Sequence, residues 1–351
     1  MKNKRIFIIG GIYFTAITLV AVVFALYGFG VLKGDILSTF LIQVVVMFGI
    51  PLLMHTAFIS KNIKQTFKDT GFKKISAKTL GVTIILGIVL YFLNSYVASF
   101  FQGLVAIFGY EKLSFGQTTQ PLTSSLLFKE FILSSIFPAF CEEFLHRGVL
   151  LHSGKQCKNT RYVLIVSSIL FGLTHLNINQ FFYAAILGFL MGHISLITDS
   201  IFPPIIIHFL NNFLSVYFSY GSALNWPLAT FVNNFTSLLA SNIFIFVILT
   251  SFGVGILIWL YIQLTKQLHK EIIKQNVKKI VDSLQLETLT IEQAEERVKQ
   301  ANELLKNCKT VNLATTAPKG TKFSFLETSF FISSAVLGVL ITICSFIWGL
   351  I

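Results

Sequence analysis

The sequence predicts an all-α protein that crosses a membrane about eight or nine times. Hydrophobic residues make up 54% of the 351 residues, charged residues make up only 12%, and the mean hydropathy is +0.76. Soluble domains carry about 25% charged residues. Apolar runs of about 18 residues or more recur along the chain, and each is long enough for a membrane-spanning helix.

Nine segments are predicted as spans. Some of them are short for a membrane-spanning helix, so the alternative prediction is eight spans. The first follows Lys2, Lys4 and Arg5. It is longer than a signal-peptide core, so we expect it to be retained. In order, the predicted spans cover residues 6–32, 37–59, 80–107, 125–151, 162–178, 180–198, 201–220, 240–265 and 329–350.

These spans predict five regions of the chain. Residues 1–124 hold the N-terminal membrane helices, and residues 125–220 form a membrane core that contains most of the polar residues buried in spans. One membrane helix lies within 221–265, and residues 329–351 form the C-terminal one. Between them, residues 266–328 hold more than half of the carboxylates and are predicted to lie in the cytoplasm.

Two apolar stripes at helical spacing predict a helical hairpin in residues 266–328. TIEQ at Thr290–Gln293 is a predicted capping box at the start of the second helix. The stripes can pair with each other, or bind a partner or a second copy of the chain. They consist of Ile273, Val277, Ile280, Val281 and Leu284, and of Ile291, Ala294, Val298, Ala301 and Leu305.

The net charge of +12 is interpreted as a signature of topology. If the N-terminus is cytoplasmic, only Lys33, Lys112 and Lys129 lie outside, which leaves 24 of the 27 Lys and Arg residues on the cytoplasmic side. We therefore expect no nucleic-acid partner, and we expect basic clusters to contact anionic lipid headgroups. None of the four cysteines forms a CxxC pair, so neither a disulfide framework nor a zinc knuckle is expected.

Glu142, Glu143 and Arg147 stand out because a charge at mid-bilayer costs about 2.5–3.5 kcal/mol. On a helix, Glu143 and Arg147 are four residues apart and share a face, so they are predicted to form a structural ion pair. Glu142 points about 100° away and cannot share Arg147 equally. It is therefore the candidate general base, and its alternative interpretation is a water-facing carboxylate near the helix end.

Two later spans carry polar side chains in apolar surroundings. FGLTHL contains Phe171 and His175, and HFLNN contains His208 and Asn212 four residues apart on one helical face. A lone membrane histidine more often forms a hydrogen bond between helices. Because Glu142 and these residues come from three spans, they instead predict a polar cavity among spans four, five and seven.

His146, His152, His193 and Cys141 are not predicted to act directly in catalysis, and His146 is the candidate for a supporting role next to Glu142. His193 is interpreted as a packing or hydrogen-bonding residue. His146 and His152 lie near the predicted cytoplasmic end of their span and are expected to be solvated, although His146 shares a face with Glu142. No helical neighbour activates the Cys141 thiol.

Three motifs on these spans resemble the CAAX protease and bacteriocin-processing family, also called the Abi or type II CAAX prenyl endopeptidase family. The resemblance covers residues ~125–215 and includes the stretch AAILGFLMGHISLITDSIFPPIIIHFLNN, but it does not extend to the hairpin or the ninth span. The motifs are Glu142-Glu143-x-x-x-Arg147, Phe171-x-x-x-His175 and His208-x-x-x-Asn212.

The resemblance implies an intramembrane endopeptidase. Glu142, aided by His175, would activate a water for attack on a peptide carbonyl, and His208 and Asn212 would donate hydrogen bonds to the oxyanion. The neighbouring ion pair would hold the helix and tune the base. No cofactor is expected, because the motifs lack an HExxH arrangement and Asn212 is a poor zinc ligand. A zinc site of Glu142, His175 and His208 is the alternative.

The substrate class follows from the family and not from the composition. Eukaryotic members trim prenylated C-termini, whereas bacterial relatives are associated with peptide processing and bacteriocin self-immunity. We expect a bacterial cell-membrane protein that cleaves a small membrane-associated or lipidated peptide or protein, with a cavity reached from the cytoplasmic half. The alternatives are a non-enzymatic immunity or scaffold protein, and a transporter with a proton-relay glutamate and histidine.

Overall fold

The computed structural model describes residues 2–110, 124–155, 160–240, 243–283 and 325–348, together with residues 290, 292, 293, 295, 296 and 299. Helix makes up 88% of the structure, and no strand occurs among the residues just given. The prediction of an all-α polytopic membrane protein is therefore confirmed.

The predicted spans correspond to helices, and π-helical segments with wider turns interrupt the second and the fourth. The α-helices are α1 (Lys2–Gly28), α2 (Asp35–Phe40), α3 (Ile50–His55), α4 (Ile63–Asp69), α5 (Ala77–Ala106), α6 (Ser124–Glu130), α7 (Phe137–Glu143), α8 (Thr160–Leu173), α9 (Ile178–Thr198), α10 (Phe202–Ala223), α11 (Pro227–Ala240), α12 (Ile243–Ser283) and α13 (Phe325–Trp348). The π-helices are π1 (Leu41–Gly49), π2 (Thr56–Ser60), π3 (Phe131–Ile136) and π4 (Phe144–His152).

Five helices in the described part of the chain are long and apolar enough to cross a membrane, by length and composition. The fourth predicted span is one continuous helix over residues 124–152, but it carries three charged residues near its middle. The fifth is only the 14-residue α8. The count of eight or nine crossings therefore stays a prediction. The five helices cover Lys4–Gly28, Ile36–Ser60, Ala77–Ala106, Ile178–Thr198 and Thr328–Ile347.

The fifth and sixth predicted spans form a hairpin of α8 and α9, and its turn begins earlier than the sequence pattern predicts. Leu176 adopts a left-handed conformation with φ of 53°, and the Asn177 side chain accepts a hydrogen bond from the Asn179 backbone N–H at 2.8 Å. This turn and cap end α8 at Leu173 and not at residue 178. His175 therefore lies in the turn, where its side chain is not confined to a helical face.

Two large apolar clusters hold the described part of the bundle together, and α8 contributes to both. Leu170 belongs to a cluster formed with α1, π1, π4 and α13, whereas its neighbour Phe171 belongs to a cluster formed with α5, α9, α10 and α12. Successive residues of α8 thus pack on different helices. This position makes α8 the central helix of the part of the fold that holds the predicted site.

Charged residues from distant segments meet at one end of the bundle. Asp199 follows α9 and pairs with Lys155 at 2.5 Å and with Lys73. Arg5 and Lys78 pair there with the carboxylates of α4 and α12. The sequence predicts all these segments on the cytoplasmic side, so their meeting at one end agrees with the predicted topology.

His152 corrects one expectation at this end. Its side chain is 2% exposed, and Nε2 lies 3.0 Å from the Ser195 hydroxyl on α9. The prediction of a solvated His152 is therefore wrong, because α9 covers a position that its local sequence places at a helix end.

The predicted cytoplasmic hairpin begins as a continuation of α12, which runs without a break from Ile243 to Ser283. The Thr290 backbone N–H donates to the Gln293 side chain at 3.3 Å. This is one of the two hydrogen bonds of the predicted capping box, and it is confirmed. Most residues of the two apolar stripes lie outside the described residues, so their pairing stays a prediction.

The Asp199 network predicts a pH-dependent stability. Burial would raise the pKa of Asp199, but Lys155 and Lys73 lower it to about 2. The carboxylate therefore stabilises the fold above about pH 4, and this contribution is lost as the pH falls towards 2. We expect Asp199→Asn to destabilise the protein by about 1 kcal/mol or less at neutral pH, because the site is half exposed.

Thermal unfolding in detergent between neutral pH and pH 2 measures this contribution. The difference between wild type and Asp199→Asn should shrink as the pH falls, and Asn tolerates the left-handed backbone of this position. Glu295→Gln, which changes an exposed carboxylate, is the control. A difference that grows on acidification would contradict the assignment.

Candidate active site

The ion pair predicted from the sequence lies in the protein interior. Nη1 of Arg147 donates to Oε1 of Glu143 at 2.7 Å, and both side chains are fully buried. Nη2 of Arg147 donates to the Gly188 carbonyl on α9 at 3.0 Å. The guanidinium carbon lies 4.3 Å from the centroid of the Phe171 ring. Arg147 thereby links π4 to α7, α8 and α9.

This arrangement requires the glycine at position 188. A Cβ atom there would lie 2.9 Å from Cδ1 of Phe171 and 3.4 Å from Nη2 of Arg147. The absence of a side chain lets α9 approach closely enough for its carbonyl to accept the arginine hydrogen bond. The sequence pattern does not single out this glycine.

Glu143 has a second partner that helical spacing does not predict. Nδ1 of His208 lies 2.9 Å from the same oxygen, Oε1, and the imidazole is 4% exposed. Because a carboxylate accepts, the proton of this hydrogen bond belongs to Nδ1. Glu143 therefore orients the imidazole of His208 as well as pairing with Arg147.

His175 is held in a similar way from its turn. Its Nδ1 lies 2.9 Å from the Phe171 carbonyl oxygen, which can only accept, so Nδ1 carries the proton. The Nε2 atom is left available as an acceptor. Edge-on contacts with the Phe171 ring at 5.2 Å for His175 and 5.8 Å for His208 position both imidazoles.

Glu142 does not share the Arg147 ion pair, as the sequence predicts. Its Oε1 accepts a hydrogen bond at 2.8 Å from Nε2 of Gln43, a residue of π1 that is 8% exposed. Gln43 lies outside the family motifs. A lone amide in an apolar span was the only sequence signal for it, and it holds one oxygen of Glu142 while the side chain lines a cavity.

That cavity, of about 400 Å³, brings the predicted residues together. It is lined by Glu142 from α7, His175 from the α8–α9 turn, and His208 and Asn212 from α10. These elements correspond to predicted spans four, five and seven. Residues of α5 and α9, spans three and six, also line it.

One wall of the cavity extends away from the charged end of the bundle. Its lining on α5 runs from Tyr91 to Gln102, in the half of the helix far from Ser76 and the charged end. Access to the cavity from the cytoplasmic half stays a prediction, because the orientation of the bundle in the membrane is itself a prediction.

Asn212 makes hydrogen bonds that the sequence does not predict. Its Nδ2 donates to the Ser134 carbonyl of π3 at 3.0 Å, and its Oδ1 accepts from Asn211 at 3.1 Å. The amide carries a second N–H, so one donor is not used by these bonds. Asn94 of α5 in turn donates a hydrogen bond to Oδ1 of Asn211 at 3.2 Å.

His146 is fully buried, and the expectation that it is solvated is wrong. Its ring packs edge-on against Tyr13 at 5.5 Å and Phe171 at 4.9 Å, and neither ring nitrogen has a hydrogen-bond partner. Helix α1 covers this position, which no local pattern indicates. His193 behaves as predicted, with Nδ1 3.0 Å from the Tyr261 hydroxyl.

The alternative zinc site predicted from the sequence would use Glu142, His175 and His208 as its ligands. Among the described residues, no group of three or more His, Cys, Asp or Glu side chains is arranged to hold a metal ion. Glu142, His175 and His208 share the cavity without forming such a group. The zinc-binding alternative therefore stays a prediction of the sequence.

Fold and cavity together define a membrane-embedded helical bundle with a carboxylate, two imidazoles and a carboxamide around one cavity. Residues 124–214 match the family model described as Rce1-like, Type II CAAX prenyl endopeptidase Rce1-like. This match confirms the resemblance of the motifs to the CAAX protease family and suggests intramembrane CAAX protease activity. Comparison with curated proteins and with solved structures found no match.

The buried ion pair predicts that removing one of its charges lowers the free energy of unfolding more than removing both. Glu143→Gln leaves the Arg147 charge buried without its carboxylate, so we expect a loss of about 3–5 kcal/mol in the free energy of unfolding. Glu143→Leu combined with Arg147→Met removes both charges and should cost less than the single change. Denaturant unfolding of the purified variants measures both. A double variant less stable than Glu143→Gln would contradict the assignment.

Proposed function

We propose that this chain is an intramembrane endopeptidase in which Glu142 activates a water molecule for hydrolysis of a peptide bond. The observation that carries the proposal is the meeting of Glu142, His175, His208 and Asn212 at one cavity inside the family-matched region. A carboxylate base and two imidazoles supply the groups that peptide hydrolysis needs.

The first step would be attack of water on the peptide carbonyl. Glu142 takes one proton from the water, and Nε2 of His175 accepts a hydrogen bond from the other. The water oxygen then adds to the carbonyl carbon and places the negative charge on the carbonyl oxygen. Gln43 supports this role because it holds Oε1 of Glu142 and leaves Oε2 for the water.

His208 and Asn212 would stabilise the oxyanion. Nδ1 of His208 already donates to Glu143, so donation from Nε2 to the oxyanion requires protons on both ring nitrogens. Asn212 contributes its second N–H. Each such donor is worth about 3–4 kcal/mol in acyl-transfer enzymes.

Collapse of the intermediate completes the reaction. The carbon–nitrogen bond breaks, and the proton held by Glu142 passes to the leaving nitrogen. One water is consumed, the products are a free carboxyl group and a free amine, and Glu142 returns to its ionised form.

The substrate that we propose is a small membrane-associated peptide or a lipidated membrane protein. The location that we propose is a bacterial cell membrane with a cytoplasmic N-terminus, supported by the distribution of basic residues and by the charged end of the bundle. Anionic lipids would contact the basic clusters beside the helices. Residues 266–328 are the proposed surface for a partner or a second copy.

Substitution of the base tests the proposal directly. We expect Glu142→Gln to lower cleavage by about a hundredfold to ten-thousandfold, because the amide cannot take a proton from water. Mass spectrometry of small peptides and new protein termini, compared between wild type and variant in cells, detects the change. Glu271→Gln at the charged end is the matched control.

Two other outcomes would support the competing functions. Unchanged processing in Glu142→Gln would exclude the glutamate mechanism and favour an immunity or scaffold protein. Loss of pH-coupled flux without any change in cleaved termini would favour a transporter.

Metal dependence is a separate prediction, because we propose that the reaction is metal-free. The protein dialysed against a zinc chelator should keep its peptidase activity, and the purified protein should contain much less than one zinc per chain. Elemental analysis and activity before and after dialysis measure this. Activity that disappears on dialysis and returns with zinc would overturn the metal-free mechanism while leaving the peptidase assignment intact.

A further inference from the structure

The second predicted span lies along the fourth, and two hydrogen bonds join them. Nε2 of Gln43 donates to Oε1 of Glu142 at 2.8 Å. Nearer the charged end, Nε2 of His55 lies 2.8 Å from the hydroxyl oxygen of Ser153, which directly follows π4. The first bond joins residues 99 positions apart and the second joins residues 98 positions apart. The two helices are therefore parallel, and both bonds belong to one register between them.

The Gln43 amide uses its nitrogen and leaves its oxygen unpaired. The side chain is 8% exposed, and its buried Oε1 atom has no hydrogen-bond partner among the described residues. A methionine would fill about the same space without burying an unpaired acceptor. The opposite orientation of the amide would bring two acceptor oxygens together. The N–H bond to Glu142, and not packing, therefore explains an amide at this position.

Gln43 reaches the cavity only through Glu142. Among the described residues, Glu142 lines the cavity and Gln43 does not. The hydrogen bond holds Oε1, so it fixes the rotation of the carboxylate and the direction in which Oε2 points. Without this donor the carboxylate would rotate among several orientations, of which only some place a base correctly for an attacking water.

His55 is anchored at the charged end of the bundle. Its Nδ1 lies 3.2 Å from the Ser60 hydroxyl, which donates to Oδ2 of Asp69 at 2.8 Å. Arg5 of α1 donates to the same oxygen at 3.2 Å. Because Ser60 gives its only proton to Asp69, it accepts from His55, and this fixes the orientation of the imidazole. The second span is thereby tied to α1 and α4, and the bond to Ser153 ties it to the fourth span.

We infer that Gln43 is a positioning residue for the proposed general base, Glu142. The bond between His55 and Ser153 holds Gln43 in the register that this task needs. The inference rests on the proposed function. Gln43 takes part in no proton transfer, and its whole effect on catalysis passes through the orientation of Glu142.

Side-chain amide NMR tests these hydrogen bonds without a substrate. The full-length protein in detergent is labelled with ¹⁵N at its glutamine side chains, and the Gln43 signal is assigned by its absence from Gln43→Met. A charge-assisted N–H bond moves the proton signal downfield, so Glu142→Gln should move it upfield. Ser153→Ala should also move it, because the register is relaxed. Ser334→Ala is the matched control, since this buried hydroxyl donates to the Phe330 carbonyl of its own helix at 2.7 Å.

Kinetics measures the positioning effect. The probe is a fluorogenic peptide that spans a cleavage site found by comparing wild type with Glu142→Gln. Gln43→Met should lower kcat about tenfold and change KM by less than about twofold, because the base is present but poorly oriented. Val45→Met, which places the same side chain at an exposed position of π1, is the control.

A double variant tests the register. Ser153→Ala alone should lower kcat by a smaller factor than Gln43→Met. In the Gln43→Met background it should cause no further loss, because Glu142 is already released. His55, the partner of Ser153, lies about three helical turns from Gln43, and substitutions so far apart normally have additive effects.

Three results would overturn the inference. The first is a Gln43 signal that does not respond to Glu142→Gln, or that moves equally in Ser153→Ala and Ser334→Ala. The second is a Gln43→Met variant whose loss lies in KM or whose kcat equals that of Val45→Met. The third is additive loss of kcat in the double variant. The expected NMR shifts in a protein without Glu142-dependent cleavage would instead contradict the proposed function alone, because the NMR measurement does not depend on catalysis.

Discussion

Oε1 of Glu143 accepts hydrogen bonds from both Arg147 and His208, and the geometry of the cavity depends on this shared oxygen. A buried carboxylate is costly unless charge and hydrogen bonds compensate it. Arg147 supplies the charge, and His208 supplies a hydrogen bond from a different helix. The ion pair therefore has two effects, since it makes burial of Glu143 tolerable and fixes the rotation of the imidazole that faces the cavity.

Close packing around Phe171 makes that arrangement specific. The ring contacts the guanidinium of Arg147 on one side and the imidazoles of His146, His175 and His208 along its edges. Gly188 lets α9 approach the same ring. Packing against this one aromatic side chain therefore sets the relative positions of four basic groups.

The cavity has two chemically different walls. The α7 side and the α8–α9 turn contribute Glu142 and His175, which can exchange protons, whereas the α5 wall contributes neutral amides and hydroxyls. His208 and Asn212 of α10 connect the two. Both walls border the same cavity of about 400 Å³.

The sequence alone predicts the helical fold, the ion pair between Glu143 and Arg147, and the separate orientation of Glu142, because these follow from hydropathy and helical spacing. It also identified His175, His208 and Asn212, because polar residues in apolar spans need a reason. It did not identify Gln43 or Asn94, which are amides on helices that carry none of the motifs.

The packing of the helices against one another determines which partner each polar group has. His146 and His152 are buried because α1 and α9 cover them, and no periodicity in their own segment records that contact. Gln43 reaches Glu142 across 99 positions of sequence, and Asn94 reaches Asn211 across 117. Hydrogen bonds between helices depend on the rotation and depth of both, and local sequence determines neither.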